Sequence, residues 1–157
     1  MDNSLALLAD EVRRKTLWLL DGVGEPQARF AAPGLSNSIL WHAGHALVVV
    51  ESLCVAPATG QAPELPLGWF EKFSWDSQPQ TVQDWPTLAE VTEALGQQLP
   101  RLIAAIRAAT SEQLDQILGP PHDATLRYLI VHGLHDEGNH QGEIWLLRKM
   151  WNRSRGG

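Results

Sequence analysis

Five of the six histidines fall in two short segments far apart in the chain, Leu40-Trp41-His42-Ala43-Gly44-His45 and Val131-His132-Gly133-Leu134-His135-Asp136-Glu137-Gly138-Asn139-His140-Gln141-Gly142-Glu143. Imidazole is the commonest metal-binding side chain near neutral pH, and helices that each bring one or two ligands to a shared interior point are how bundles hold ions. The distribution is that of a ligand set.

On an α-helix, residues four apart are offset by only about 40°. Asp136 and His140 therefore neighbour each other. His132 lies one turn earlier on the same side, and Leu129, Glu143 and Leu147 continue the stripe. His135 and His140 are five apart, an offset of about 140°, and would share an ion only across a π-bulge near Gly138. The segment is not the H-E-x-x-H of zinc proteases, whose histidines are four apart. His42 and His45 are three apart, so one of them faces inward, and His45 lies near the side shared by Trp41, Val49 and Ser52. The best triad by spacing is His45 with Asp136 and His140. Two imidazoles and one carboxylate leave coordination positions open, which suits a catalytic or ligand-binding Fe(II), Zn(II) or Ni(II) ion better than a closed structural site.

The plainer alternative for the triad is a hydrogen-bonded core network without metal. His42 and His132 read as residues that orient a ligand through a hydrogen bond, or as surface residues. Glu137 and Glu143 are candidates for the same role or for general base toward a bound water, set against solvated helix positions. His135 points away, and His122 reads as an exposed loop residue. Cys54, the only cysteine, closes an apolar stretch with no basic neighbour and reads as a small buried hydrophobe.

Leu5, Leu8, Val12, Thr16, Leu19 and Leu20 recur at helical spacing and predict a first helix, stopped by Gly22 and Gly24. Residues 25 to 35 form a turn-rich connection. Ser36, Asn37 and Ser38 offer caps for a second helix to about Cys54, ended by Pro57. Val55 to Trp85 is too long for a hairpin loop and too aromatic for a linker, with Trp69, Phe70, Phe73, Trp75 and Trp85. It predicts a crossover that packs on the bundle, either roofing a pocket or covering one end, and it permits the second and third helices to run parallel. Thr87 and Glu90 form a capping box for a third helix to about Ala109, kinked at Pro100. Thr110-Ser111-Glu112-Gln113 opens a short extra turn, Gly119-Pro120-Pro121 breaks it, and Asp123 or Thr125 starts a final helix to about Trp151. No strand is expected.

A chain of 157 residues with 44% apolar content is one domain, 1–157, with a single core. A net charge of -6, with no basic cluster beyond the tail, argues against nucleic acid. The apolar run Ala46–Val50 is cut by Glu51, far short of the roughly 20 residues of a membrane span. The lone cysteine and the acidic start Met1-Asp2-Asn3 fit the cytoplasm.

Trp41-His42-Ala43-Gly44-His45 and Asp136-Glu137-Gly138-Asn139-His140-Gln141-Gly142-Glu143 resemble the two signatures of the DinB/YfiT-like superfamily, roughly W-x-x-G-H on the second helix and H-x-x-x-H-x-G-Q on the fourth. The resemblance covers essentially the whole chain. It implies a four-helix bundle in up-down-down-up order, often a homodimer, with a divalent metal (Zn, Ni or Fe) in the core and His45 and His140 as first and last ligands. Where the family pattern has histidine, this chain has Asp136, which turns three histidines into two and a carboxylate; a carboxylate still suits zinc, iron or manganese. Characterised members include transferases and isomerases that use bacillithiol, mycothiol or glutathione, and a domain of iron sulfoxide synthases. The function implied is transfer from a low-molecular-weight thiol, or hydrolysis, on a small electrophilic substrate. The rivals are a non-catalytic metal or small-molecule binding bundle and a structural dimerisation module.

Overall fold

Leu5, Ala6, Ala9, Thr16, Leu19 and Leu20 line the buried side of α1 (Asn3–Leu20), and Gly22, in the left-handed region at φ 71°, turns the chain out of it. These come from a computed structural model that describes residues 3–156. The stripe is rotated slightly from the expected one: Leu8 is 41% exposed, Val12 is half-buried, and Arg13 takes the central inward position. A one-turn helix, α2 (Glu25–Ala28), interrupts the connection that the sequence presents as turns.

Ser38 caps α3 (Ile39–Val50), its side chain accepting from the Trp41 amide, and every residue of α3 is buried. The helix then widens into a π-helical turn, Glu51–Val55, and continues as α4 (Ala56–Thr59). The expected stop at Pro57 does not occur, because Pro57 directly follows the π turn, whose widened ladder already departs from the i→i−4 pattern that a proline breaks. Gly60, at φ 68°, ends it instead. Ile39–Thr59 is apolar enough to match a membrane span in length and composition, with mean hydropathy 1.6, but 83% of its most apolar window is buried, as in the core helix of a bundle.

The crossover carries α5 (Trp69–Phe73), whose buried Trp69 and Phe73 pack on α3. The capping box of Thr87 and Glu90 opens α6 (Leu88–Ala108), which runs through Pro100 without interruption. A second box, Thr110 and Gln113, opens α7 (Ser111–Asp115). Thr125 caps α8 (Leu126–Arg155), while Asp123 sits in a turn at φ 47°. Among the described residues there is no strand, only an isolated bridge between Ile117 and Thr125.

The long helices close a ring in which α3 packs on α8 and α6, and α1 on α6 and α8. Two apolar clusters fill it, one containing Leu40, Leu47, Phe73, Leu95 and Ile144, the other Val50, Cys54, Ile106, Ile130 and Leu134. A buried charged network ties the same helices together. Arg13 on α1 donates to both carboxylate oxygens of Glu137 on α8, at 2.8 and 2.9 Å, and to Gln98 Oε1 on α6. Gln98 Nε2 in turn donates to Glu51 in the π turn, which also accepts from Arg101. Charges taken this far from water persist only when paired on every side, and each is.

Candidate metal centre

The site forms where α3 crosses α8. At Gly44 a Cβ would overlap the ring of Phe73, so glycine is required for α5 to lie this close to α3. That approach brings the Phe73 carbonyl to 2.6 Å from His45 Nδ1. The nitrogen must donate, which places the Nε2 lone pair of His45 on the opposite edge of the ring, toward Asp136. Trp41 stacks on the His45 ring, with centroids 4.6 Å apart and planes 17° from parallel, and is itself anchored by its indole N–H to Ser77 Oγ at 2.8 Å.

His140 is held in the same manner by a different partner. Its Nδ1 lies 2.7 Å from His42 Nδ1. When His140 donates this bond, its Nε2 is left as a lone pair on the side of Asp136. Asp136 Oδ2 stands 3.4 Å from His140 Nε2 and 3.7 Å from His45 Nε2, and the ligand atoms of His45, Asp136 and His140 all lie within 4.8 Å of one another. Small rotations bring such a set to bond lengths of about 2.0–2.2 Å.

The proton inventory shows what the centre lacks. Burial outweighs the helpful Phe73 carbonyl and lowers the pKa of His45, with His140 adding to the effect. Burial, then the neighbouring His140 and His45, pushes His42 down to about 3. Burial works to raise the Asp136 carboxyl, but His140, then His45 and His132, hold it below the ordinary range. Asp136 Oδ2 is buried and, among the described residues, accepts no hydrogen bond. Two imidazoles and a carboxylate held below its ordinary range thus converge on one point, an arrangement that a cation completes. The donor set fits a divalent ion with open positions, and His45, Asp136 and His140 are the residues that would hold it.

Of the other residues singled out in the sequence, His42 touches His140 and orients it. His132 is exposed and stacks on Tyr128, and His135 is exposed. His122 sits half-buried in a turn closed by its amide and the Gly119 carbonyl. Glu143 lines a cavity of about 320 Å³ together with His42, Asn139, His140 and the loop residues Leu35, Ser36 and Asn37. Glu137 turns the other way: it is fully buried, bonded to Arg13 and to Thr16 Oγ1 at 2.5 Å. It follows Asp136 by one residue, about 100° around the helix. Its clamp therefore fixes the rotation at which α8 presents Asp136 to α3. Cys54 is fully buried, and burial raises its thiol far above the ordinary range, so it carries no nucleophile.

Arg13 and Gln98 went unnoticed in the sequence, where Glu51 figures only as the residue that cuts the apolar run. Their one signal was position: Arg13 follows Ala9 by four and precedes Thr16 by three on the inward face of a helix.

Among solved structures, a conserved protein from Enterococcus faecalis shares the fold, with a TM-score of 0.73 at 16% identity over 96% of each chain. No curated protein matches. The sequence model of the DinB superfamily matches residues 8–144, a span that includes every residue of the candidate centre, and the chain belongs to that superfamily.

Proposed function

We propose that the protein is a metal-dependent enzyme that activates a low-molecular-weight thiol, or a water, for attack on a small electrophilic substrate. One observation carries this reading: ligand atoms of two imidazoles and a carboxylate, all within 4.8 Å of one another, converge on one point beside an open cavity, and the carboxylate oxygen is buried. A divalent ion bound there supplies Lewis acidity, which lowers the pKa of a thiol or water to near neutrality. Phe73 and His42 hold the two imidazoles so that Nε2, not Nδ1, faces the centre. The cavity beside His140 gives a substrate its access. Of the two carboxylates considered as bases, Glu143 borders this cavity and can take the released proton and pass it to solvent, whereas Glu137 is committed to Arg13. The up-down-down-up order of the bundle is part of this reading and is supported by the pairing of α1 with α6 and α8 and of α3 with α6 and α8.

A homodimer belongs to the same reading, and an exposed aromatic face supports it. Trp18 on α1 and Trp145 on α8, 56% and 43% exposed, stack at 6.2 Å along a groove that also holds Gly138 and Gly142. Neither glycine meets any atom within 4 Å where a Cβ would stand, so packing within the chain gives no reason for glycine there.

The test is elemental analysis of anaerobically purified protein beside Asp136→Ala and His45→Ala, followed by a panel of thiols and electrophiles. The expected result is about one divalent ion per chain in the parent, lost in both variants, with turnover that follows the metal. A folded parent that takes up neither zinc, nickel nor iron overturns the proposal, and stoichiometric metal without turnover replaces the enzyme with a binding module.

A further inference from the structure

The cavity beside His140 has a lining of one charge type. Hydroxyl, amide and imidazole groups come from Ser36, Asn37, Asn139 and the two histidines, and Glu143 is its one charged side chain. Among the described residues Glu143 has neither an ion-pair partner nor a side-chain hydrogen bond, and no lysine or arginine lines the cavity. Glu143 follows His140 by three residues, which puts both side chains on one face of α8 with about 5–6 Å between their Cβ atoms. His140 is the residue shared by the centre and the cavity, so a ligand with one donor atom at the centre and a short chain of two or three further carbons extends along this face toward the carboxylate.

The charges then decide what kind of ligand is favoured. The two charges of a divalent ion are offset by Asp136 and by a thiolate from the ligand. The carboxylate of Glu143 remains as the uncompensated charge facing the rest of that ligand. Ser36, Asn37 and Asn139 offer hydrogen bonds to hydroxyls or amides but cannot balance it.

We propose that this cavity selects small aminothiols, thiols that carry a protonated amine within a few bonds of sulfur, with Glu143 holding the ammonium and turning away thiols that bear a carboxylate or phosphate. The inference rests on the metal-and-thiol reading given above and adds the charge of the substrate to it. Glu143 is on this account a specificity residue, and once it has passed any proton to solvent it is again the anion that the ammonium meets.

The experiment uses the full chain loaded with Co(II), whose visible absorption reports both occupancy of the centre and arrival of sulfur. Cysteamine, 2-mercaptoethanol and 3-mercaptopropionate are titrated separately at pH 7.5 and low ionic strength. In the parent, cysteamine is expected to bind about fivefold to tenfold more tightly than 3-mercaptopropionate. The ratio should fall to near one in Glu143→Gln and invert in Glu143→Lys, while 2-mercaptoethanol changes by less than about twofold. Co(II) loading of each variant, unchanged from the parent, shows that fold and centre are intact. A parent that loads Co(II) but binds the charged thiols equally overturns the charge selection alone, as does a preference that survives Glu143→Gln. A parent that shows no Co(II) spectrum overturns the metal reading as well.

Discussion

At the scale of single residues, the centre is a problem of where protons are kept. His42 is buried against His140 and titrates at about 3, while in an unfolded chain it would titrate near its ordinary 6.5. Between those values the unfolded chain binds a proton that the folded one refuses, so stability is complete above pH 6.5 and falls as the pH drops toward 3. Each pH unit in that window costs about 1.4 kcal/mol per histidine so held. Urea unfolding of the metal-free protein between pH 7.5 and 4.5 should show this slope, and His42→Asn should flatten it by close to one proton. An unchanged slope would mean that His42 is accessible to protons in the folded state. That His45, Asp136 and His140 come together could be expected from sequence, because Asp136 and His140 stand one turn apart and the family resemblance singles out His45 and His140. His42 could be read as a residue that orients a ligand or lies at the surface, and it does touch His140. Which ring it would touch on α8 could not be read, since three-residue spacing from His45 fixes only its side of the helix.

At the scale of elements, the buried Arg13–Glu137 pair governs how α8 sits. Arg13→Ala would leave the buried Glu137 carboxylate with the Thr16 hydroxyl but no cation, a change that costs about 3–5 kcal/mol. Arg13→Met with Glu137→Met should recover much of that loss in denaturant melts, because two apolar side chains of similar size need no partners. The double variant should still bind the divalent ion more weakly than the parent, since the rotation of α8 at Asp136 is no longer clamped. Equal affinity, read by Co(II) titration, would remove that positioning role. Much at this scale was legible: the cap of Thr87 and Glu90, the start of α8 at one of two offered residues, the aromatic crossover packed on the bundle. What was not legible turned on phase. Leu8 and Val12 are apolar at the right spacing, yet the core takes Ala9 and Arg13, because the charged network on three other elements waits on that side. Pro57 looked like a stop because nothing local announces the π turn that precedes it.

At the scale of the whole molecule, the aromatic groove between α1 and α8 sets an expectation for assembly. Lys15 and Lys149 lie over Trp18 and Trp145, at 3.9 and 5.2 Å from the ring centroids, and shield those rings from water in the single chain. If a second copy covers this face, sedimentation of the parent should give twice the chain mass, and Trp18→Glu should shift it to the single chain without loss of helical signal. A parent that sediments as one chain at tens of micromolar would set the dimer aside. The way His45 is oriented has a consequence for how the molecule can change over generations. Its anchor is the peptide oxygen of residue 73, which no substitution deletes, so the tautomer survives any exchange at that position that keeps the backbone in place. What drift can disturb is clearance: a larger residue at 44 becomes tolerable only after the ring at 73 has shrunk. Relatives of this chain should therefore change those two positions jointly, with the smaller ring arising first.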